Sequence, residues 1–189
     1  MKKAVKSLVI IAAVVVSTPT VSNAQSTKKD VKESSITWKG KKILGSHTGT
    51  IDLKEGHLEM DGTKLTGGIF VVNMTTIVDT DLEGSSKTKL ENHLRSADFF
   101  DVENHPTSTL TIKNATLNGN TYEVNADLTI KGITKPVVFD LEMGASGARA
   151  SVKVDRTKYD IRFGSGNFAD SLADNTISNN FELDVILKF

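Results

Sequence analysis

The sequence predicts an all-β fold, an antiparallel β-barrel of about eight strands with one or two short helices near its mouth. Three observations carry that expectation. Apolar and polar residues alternate in long runs, which gives each run one apolar and one polar face. Turn residues punctuate the runs at short intervals. So many one-faced strands also need a common interior, which closure supplies while removing the sheet edges.

The chain opens on a different pattern. Lys2, Lys3 and Lys6 precede the apolar run from Leu8 to Val16, and the small residues Ser22 and Ala24 precede Gln25 as in a cleavage site. Residues 1–24 therefore read as a secretory signal peptide, and cleavage near Ala24 would make the protein periplasmic or secreted. The alternative is an uncleaved tether, for which the run is short. Cleavage leaves 165 of the 189 residues, and removes three of the 23 basic residues but none of the 23 acidic ones. The mature charge is then near −3. That balance excludes the clustered basic surface of a nucleic-acid binder and gives little attraction to anionic membranes. No later segment is apolar enough for stable membrane insertion. The absence of cysteine excludes disulfides, thiolate metal sites, a cysteine nucleophile and an acylated lipobox.

Residues 25–34 are polar and Lys-rich and read as a flexible tail, so the domain is expected over 35–189. Trp38 to Leu44, Thr48 to Leu53 and Leu65 to Met74 read as strands, with Gly67-Gly68 marking a bulge or bend. Residues 79–105 break the period of two. Leu90 and Leu94 have helical spacing there, and Thr88 with Glu91 has the form of a capping box. The short helix so predicted runs into Ser96-Ala97-Asp98-Phe99-Phe100. A hairpin is expected at Asn118-Gly119.

Beyond that hairpin, Tyr122, Val124, Ala126, Leu128 and Ile130 form one apolar phase, and Val137, Phe139, Leu141 and Met143 form the next. Gly132 with Pro136, and Gly144 with Gly147, mark the connections. Ala148, Ala150, Val152 and Val154 alternate with polar residues, as do Phe181, Leu183, Val185, Leu187 and Phe189. A second short helix or turn is predicted from Phe168 to Ala173.

The search for chemistry finds no catalytic motif, so no enzyme is predicted. Ser46 and His47 are neighbours on a strand and point to opposite faces, which prevents a nucleophile–base pairing. Gly164-Ser165-Gly166 is a glycine-rich turn and not a nucleophile elbow. A hydrolase site assembled from distant residues stays open. The histidines His47, His57, His93 and His105 make no local zinc signature, which leaves only a site assembled from scattered residues. Asp79-Thr80-Asp81-Leu82-Glu83-Gly84 begins like a calcium loop, but its twelfth position is Leu90, and Glu91 comes one residue late. No phosphate-cradling or dinucleotide fingerprint is present, and no metal or cofactor is assigned.

What remains is the barrel interior. Eight or so strands enclose room for packed side chains or for one small ligand, and patterning alone leaves both readings open. The expected wall is the apolar phase Val124, Leu128, Ile130, Val137, Phe139, Leu141, Val152, Val154, Phe181, Leu183 and Val185. Phe99 and Phe100 either line the entrance or fasten the helix to the barrel.

Several stretches resemble a known family. His93-Leu94-Arg95-Ser96-Ala97-Asp98-Phe99-Phe100-Asp101 resembles the H-L-x-S-x-D-F-F-D signature of YceI-like proteins, and Pro106 with the Leu110 strand fits the segment that follows. Asp127 to Val137 is similar to the family's L-T-I-x-G-x-T-x-P-V motif, and Asp155-Arg156, Tyr159 and Phe163-Gly164 resemble its D-R-x-x-F/Y-G stretch. The likeness is collinear over about residues 36–189. The first third departs from it, with Gly45-Ser46-His47-Thr48-Gly49 where the family more commonly carries H-S-x-V-x-F.

The resemblance implies a lipocalin-like barrel in the periplasm or medium that holds a polyisoprenoid or other long-chain amphiphile in an elongated apolar pocket. The partner so implied is an apolar lipid, with carriage, storage or sequestration as its purpose. His47, His93 and Arg156 are the head-group candidates, each with a structural role as the alternative. A filled barrel acting as a stress or interaction protein is the competing function. The oligomeric state stays open, a homodimer included.

Overall fold

Each apolar face needs a partner, and the strands supply it by closing on themselves. The structure, a computed structural model, describes residues 26–166 and 176–189. The predicted signal peptide and the predicted short helix or turn at Phe168–Ala173 lie outside the described residues. The strands are β1 (Thr27–Asp30), β2 (Glu33–Lys42), β3 (Ser46–Asp61), β4 (Lys64–Asp79), β5 (Thr107–Asn118), β6 (Thr121–Ile130), β7 (Ile133–Met143), β8 (Gly147–Asp155) and β9 (Ile177–Lys188). All pair antiparallel, in the order β2-β9-β8-β7-β6-β5-β4-β3, and β3 returns to β2. This is the predicted barrel of eight long strands, with short β1 added to the far half of β3.

Residues 27–30 and 33–34 correct the flexible-tail expectation. Their side chains are mostly exposed, so polarity was the right inference, yet their backbone bonds to the sheet. Thr27 to Asp30 pair with Met60 to His57, and Glu33 and Ser34 pair with Lys188 and Leu187. An exposed strand at a sheet margin needs no apolar residues, because the ladder is made by main-chain groups.

β3 and β4 are longer than their alternation suggests because bulges reset the phase. On β3 the inward residues are Ile51 and Leu53, then Leu58 and Met60, with the register shifting between Leu53 and Glu55. On β4 they are Phe70, Val72 and Met74, then Ile77 and Asp79. The extra residue lies at Thr75-Thr76, where Asn73 Oδ1 accepts the Thr75 N–H at 3.2 Å and Thr76 Oγ1 accepts the Asp52 N–H at 2.9 Å. A second shift opposite Glu59 and Met60 places a bulge beside Gly67, as expected. Each bulge moves the following residues to the opposite face.

The predicted helix is α1 (Gly84–Arg95), and its start corrects the expected capping box. Glu83 is the N-cap, and Thr88 lies one turn inside, its hydroxyl donating to the Gly84 carbonyl at 3.3 Å. Glu91 instead reaches back to β4, where its Oε1 accepts the Asp79 N–H at 3.0 Å. Leu94 is the buried residue of α1, while Leu90 is half-buried. Because the helix begins at Gly84, the calcium-like stretch forms no 12-residue cation loop.

The closing seam is tight at Gly49, which pairs with Trp38 on β2 and with Asp79 on β4. Trp38 Nε1 donates to the Val78 carbonyl at 3.1 Å across this seam. A Cβ on Gly49 would overlap that carbonyl oxygen and come within 2.6 Å of the indole. Gly49→Ala is expected to lower stability by about 1–3 kcal/mol, read from the urea midpoint. Gly40→Ala, where a Cβ meets nothing within 4 Å, is expected to stay within about 1 kcal/mol of wild type.

Candidate functional site

The two ends of the barrel are built differently. At one end Leu65, Tyr122 and Val124 are fully buried or nearly so beside Leu58 and Met60, and the Tyr122 hydroxyl donates to the Thr63 carbonyl at 2.7 Å. This end is packed shut. At the other end the connections 42–46, 79–107 and 130–133 gather with residues 155–166, and α1 and Phe99-Phe100 lie across the opening.

Between the ends lies a cavity of about 190 Å³ lined almost entirely by apolar side chains. On β9 alone the lining runs from Ile177 to Leu187. At the strand rise this is about 33 Å of chain, so the space is long and narrow. Leu58 forms part of its floor, and Leu94, Phe99 and Phe100 form part of its roof. The polar residues among the lining are Ser108, Thr109, Arg156, Ser178 and Asn180.

Arg156 is the one charged residue in this wall, and it is 1% exposed. It opens the 3₁₀ turn Arg156–Tyr159, which Asp155 caps by accepting the Thr157 N–H at 3.0 Å and the Thr157 hydroxyl at 2.7 Å. The guanidinium donates to three carbonyls: Nε to Ser178 at 2.9 Å, Nη1 to Ile161 at 2.8 Å and Nη2 to Ile177 at 3.1 Å. It thereby stitches the loop after β8 to the start of β9. A guanidinium carries five N–H groups, so two have no partner among the described residues. Among the described residues no carboxylate forms an ion pair with it, and it sits 5.6 Å from the Phe99 ring centroid. Burial pushes its pKa down, opposed by the neighbouring Asp155 charge.

Of the expected wall, Leu128, Ile130, Phe139, Leu141, Val152, Phe181, Leu183 and Val185 line the cavity, as do Phe99 and Phe100. Val124, Val137 and Val154 do not. Val124 belongs to the packed end, Val154 adjoins the 3₁₀ turn, and Val137 is only half-buried on the part of β7 that has no β8 partner. The β7–β8 ladder contains Leu141, Glu142 and Met143 alone on the β7 side.

Arg156 alone of the three head-group candidates touches the cavity. His93 lies outside, packed edge-on against Phe163 at 4.3 Å and Phe99 at 5.5 Å between ring centroids. Burial lowers its pKa, opposed by the Asp98 charge, and among the described residues Nε2 has no hydrogen-bond partner. His47 is on the rim beside Asp81, Nδ1 to Oδ1 3.4 Å. The other half of the wall was missed: Ile36 and Trp38 on β2, Ile51 and Leu53 on β3, Phe70 and Val72 on β4, Leu110 and Ile112 on β5. The signal for these was the same alternation, interrupted at the bulges of β3 and β4.

Tyr159 ends the same 3₁₀ turn, 1% exposed, and its hydroxyl has no hydrogen-bond partner among the described residues. Burial, and then the Asp155 charge, push its pKa up from 10.0 to about 12. The unfolded phenol releases its proton first, so the resulting stabilisation is complete below pH 10.0 and is lost as pH rises toward about 12. The loss across that window is about 3 kcal/mol, because burial penalises the phenolate. Alkaline unfolding over that window is expected to weaken in Tyr159→Phe, which at neutral pH should equal or exceed wild type in stability. Urea midpoints across pH check both.

A family model described as the YceI-like domain matches residues 28–189. A UPF0312 protein of Vibrio cholerae is 32% identical over 139 residues, 71% of this chain and 71% of that protein. A UPF0312 protein of Pectobacterium atrosepticum is 34% identical over 76 residues, which is 40% of this chain and only 38% of that relative's length. Among solved structures, Burkholderia cenocepacia BcnA matches with a TM-score of 0.65 at 16% identity, over 82% of this chain and 94% of that one. The Campylobacter jejuni YCEI protein matches with a TM-score of 0.51 at 16% identity, over 98% and 99%. Those two likenesses speak for the fold, and the family match spans the whole barrel: the chain belongs to the YceI-like domain family.

Proposed function

We propose that this protein is exported and binds a long-chain isoprenoid or similar amphiphilic lipid in the barrel cavity, for carriage, storage or sequestration in the cell envelope. The observation that carries the reading is the long apolar cavity with a single buried cation in its wall. An extended hydrocarbon chain matches such a space, and each buried methylene contributes about 0.8 kcal/mol before the costs of ordering. Dry walls discriminate weakly between chain lengths, so selectivity falls to the polar end. Arg156 supports an acceptor-rich head group, because its two leftover N–H groups and its charge have no carboxylate partner among the described residues. Ile43, Leu44 and Phe163 are exposed at that same end, where an apolar chain would pass in or out. The leader-like residues 1–24 lie before the family match and support the export reading. Nothing in this binding role requires a catalytic group.

Native mass spectrometry of the mature protein, purified without detergent and followed by organic extraction, tests the reading. About one isoprenoid or amphiphile per chain is expected. Ala150→Phe, which fills the cavity from β8, is expected to lose it while keeping a cooperative melt. A clean apo mass that stays unchanged with isoprenoid quinones and polyprenyl phosphates would overturn the proposal in favour of a protein partner. For the head group, Arg156→Met is expected to bind polyprenyl phosphate no better than polyprenol, and Arg156→Lys to keep part of the preference. Unchanged selectivity with lower stability would leave Arg156 its stitching role alone.

A further inference from the structure

The rim of the mouth holds a second constellation, separate from the cavity lining. His47 stands near the start of β3, Asp79 ends β4, and Asp81 follows in the connection to α1. One atom from each, the His47 nitrogen and an oxygen from each carboxylate, lie within 4.8 Å of one another. The chain separation between His47 and the aspartates is bridged by the β3–β4 ladder, in which Gly49 pairs with Asp79 and Thr50 with Val78.

Two features separate this group from an ordinary acidic rim. Asp79 is fully buried, and its two oxygens are treated unequally. Oδ1 accepts the N–H groups of Asp81 at 3.2 Å and Leu82 at 2.7 Å, while Oδ2, also buried, has no hydrogen-bond partner among the described residues. His47 Nδ1 is likewise buried, has no hydrogen-bond partner among the described residues, and lies 3.4 Å from Asp81 Oδ1. A buried carboxylate oxygen left bare beside a second carboxylate is costly unless something positive lies between them. That species is either a proton or a cation.

The donor set favours a cation of particular chemistry. Calcium takes six to eight oxygens, whereas an imidazole nitrogen with two carboxylates suits a first-row divalent metal. Zinc bonds of about 2.0–2.1 Å in tetrahedral geometry set neighbouring donors about 3.3 Å apart, close to the His47–Asp81 separation. The two amide N–H groups on Asp79 Oδ1 orient the carboxylate as an outer shell does. The Asp81 side chain is about one-third exposed, so solvent reaches the remaining positions.

We infer that His47, Asp79 and Asp81 form a binding site for a divalent transition-metal ion, zinc being its representative. The ion would tie β3 to the connection that carries α1 and so clamp the cap onto the barrel mouth. The site stands whether or not the cavity holds a lipid.

The test uses untagged mature protein, treated with chelator and then titrated with zinc chloride by calorimetry, with native mass spectrometry for stoichiometry. One zinc per chain is expected, with a zinc-dependent rise in melting temperature. His47→Gln and Asp81→Asn change partly exposed side chains and leave the barrel core untouched. Each is expected to weaken zinc binding by more than about 10-fold, the loss typical of even an outer-shell change. His105→Gln, which alters the histidine paired with Asp101 elsewhere, is expected to bind like wild type. Failure to bind stoichiometric zinc, or unchanged binding in the His47→Gln/Asp81→Asn double variant, would overturn the site and leave a shared proton between the aspartates.

Discussion

Everything inside this protein depends on one strand bonding to three others. β3 pairs with β2 through its first half, with β1 near its far end, and with β4 along nearly its whole length. Without the β2–β3 ladder the other long strands form an open sheet, whose inner face would be wet. With it, each inward residue gains a dry environment, and two edges disappear together. The bulges of β3 and β4 let strands of 16 residues bend far enough to make both ladders. Gly49 is where the geometry is least forgiving, since backbone, indole and a neighbouring carbonyl meet there with no room for a side chain.

Closure alone does not decide what the interior contains. The packed end is filled by large residues that converge on one another, Leu58, Leu65, Tyr122 and Val124. Toward the mouth the wall residues are of similar kind but face each other across a gap, and α1 with Phe99 and Phe100 covers it. Polar contacts add to the packing of Leu94, Phe99, Phe100 and Val102 that holds the cap. Arg95 donates to the Ile77 carbonyl, and Glu91 accepts from Asp79. A cap tied by a few such bonds opens at lower cost than the core strands do.

Arg156 joins these themes. A cation with almost no exposure inside an apolar wall is tolerated because three carbonyls surround it, which is also how the loop after β8 finds its place against β9. The same satisfaction fixes the guanidinium plane, so any ligand group arriving from the cavity meets a preorganised donor. The structural role and the proposed binding role are two consequences of one geometry.

The fold was legible in the sequence where alternation was unbroken. From Tyr122 to Val154 the period of two named the strands, and Gly132 marked a turn where φ is positive. Local steric rules suffice for that. But β7 already starts at Ile133, so Pro136, read as part of that connection, lies inside the strand opposite Asp127. The same rules stopped at Leu53 and Met74, because a bulge reverses the phase and the apolar signal cancels across it. β1 was invisible for another reason: its ladder is made by backbone, and its side chains are exposed.

Arg156 could be singled out by type and family likeness, but its burial and its three carbonyls come from segments far apart in the chain. The convergence of His47 with Asp79 and Asp81 is likewise a product of register. Sequence determined which side of each strand is apolar, since that is set by neighbours one and two residues away. Only the tertiary structure decided whether the apolar sides meet or leave a space, because that depends on barrel diameter and stagger, quantities fixed by pairings between distant strands.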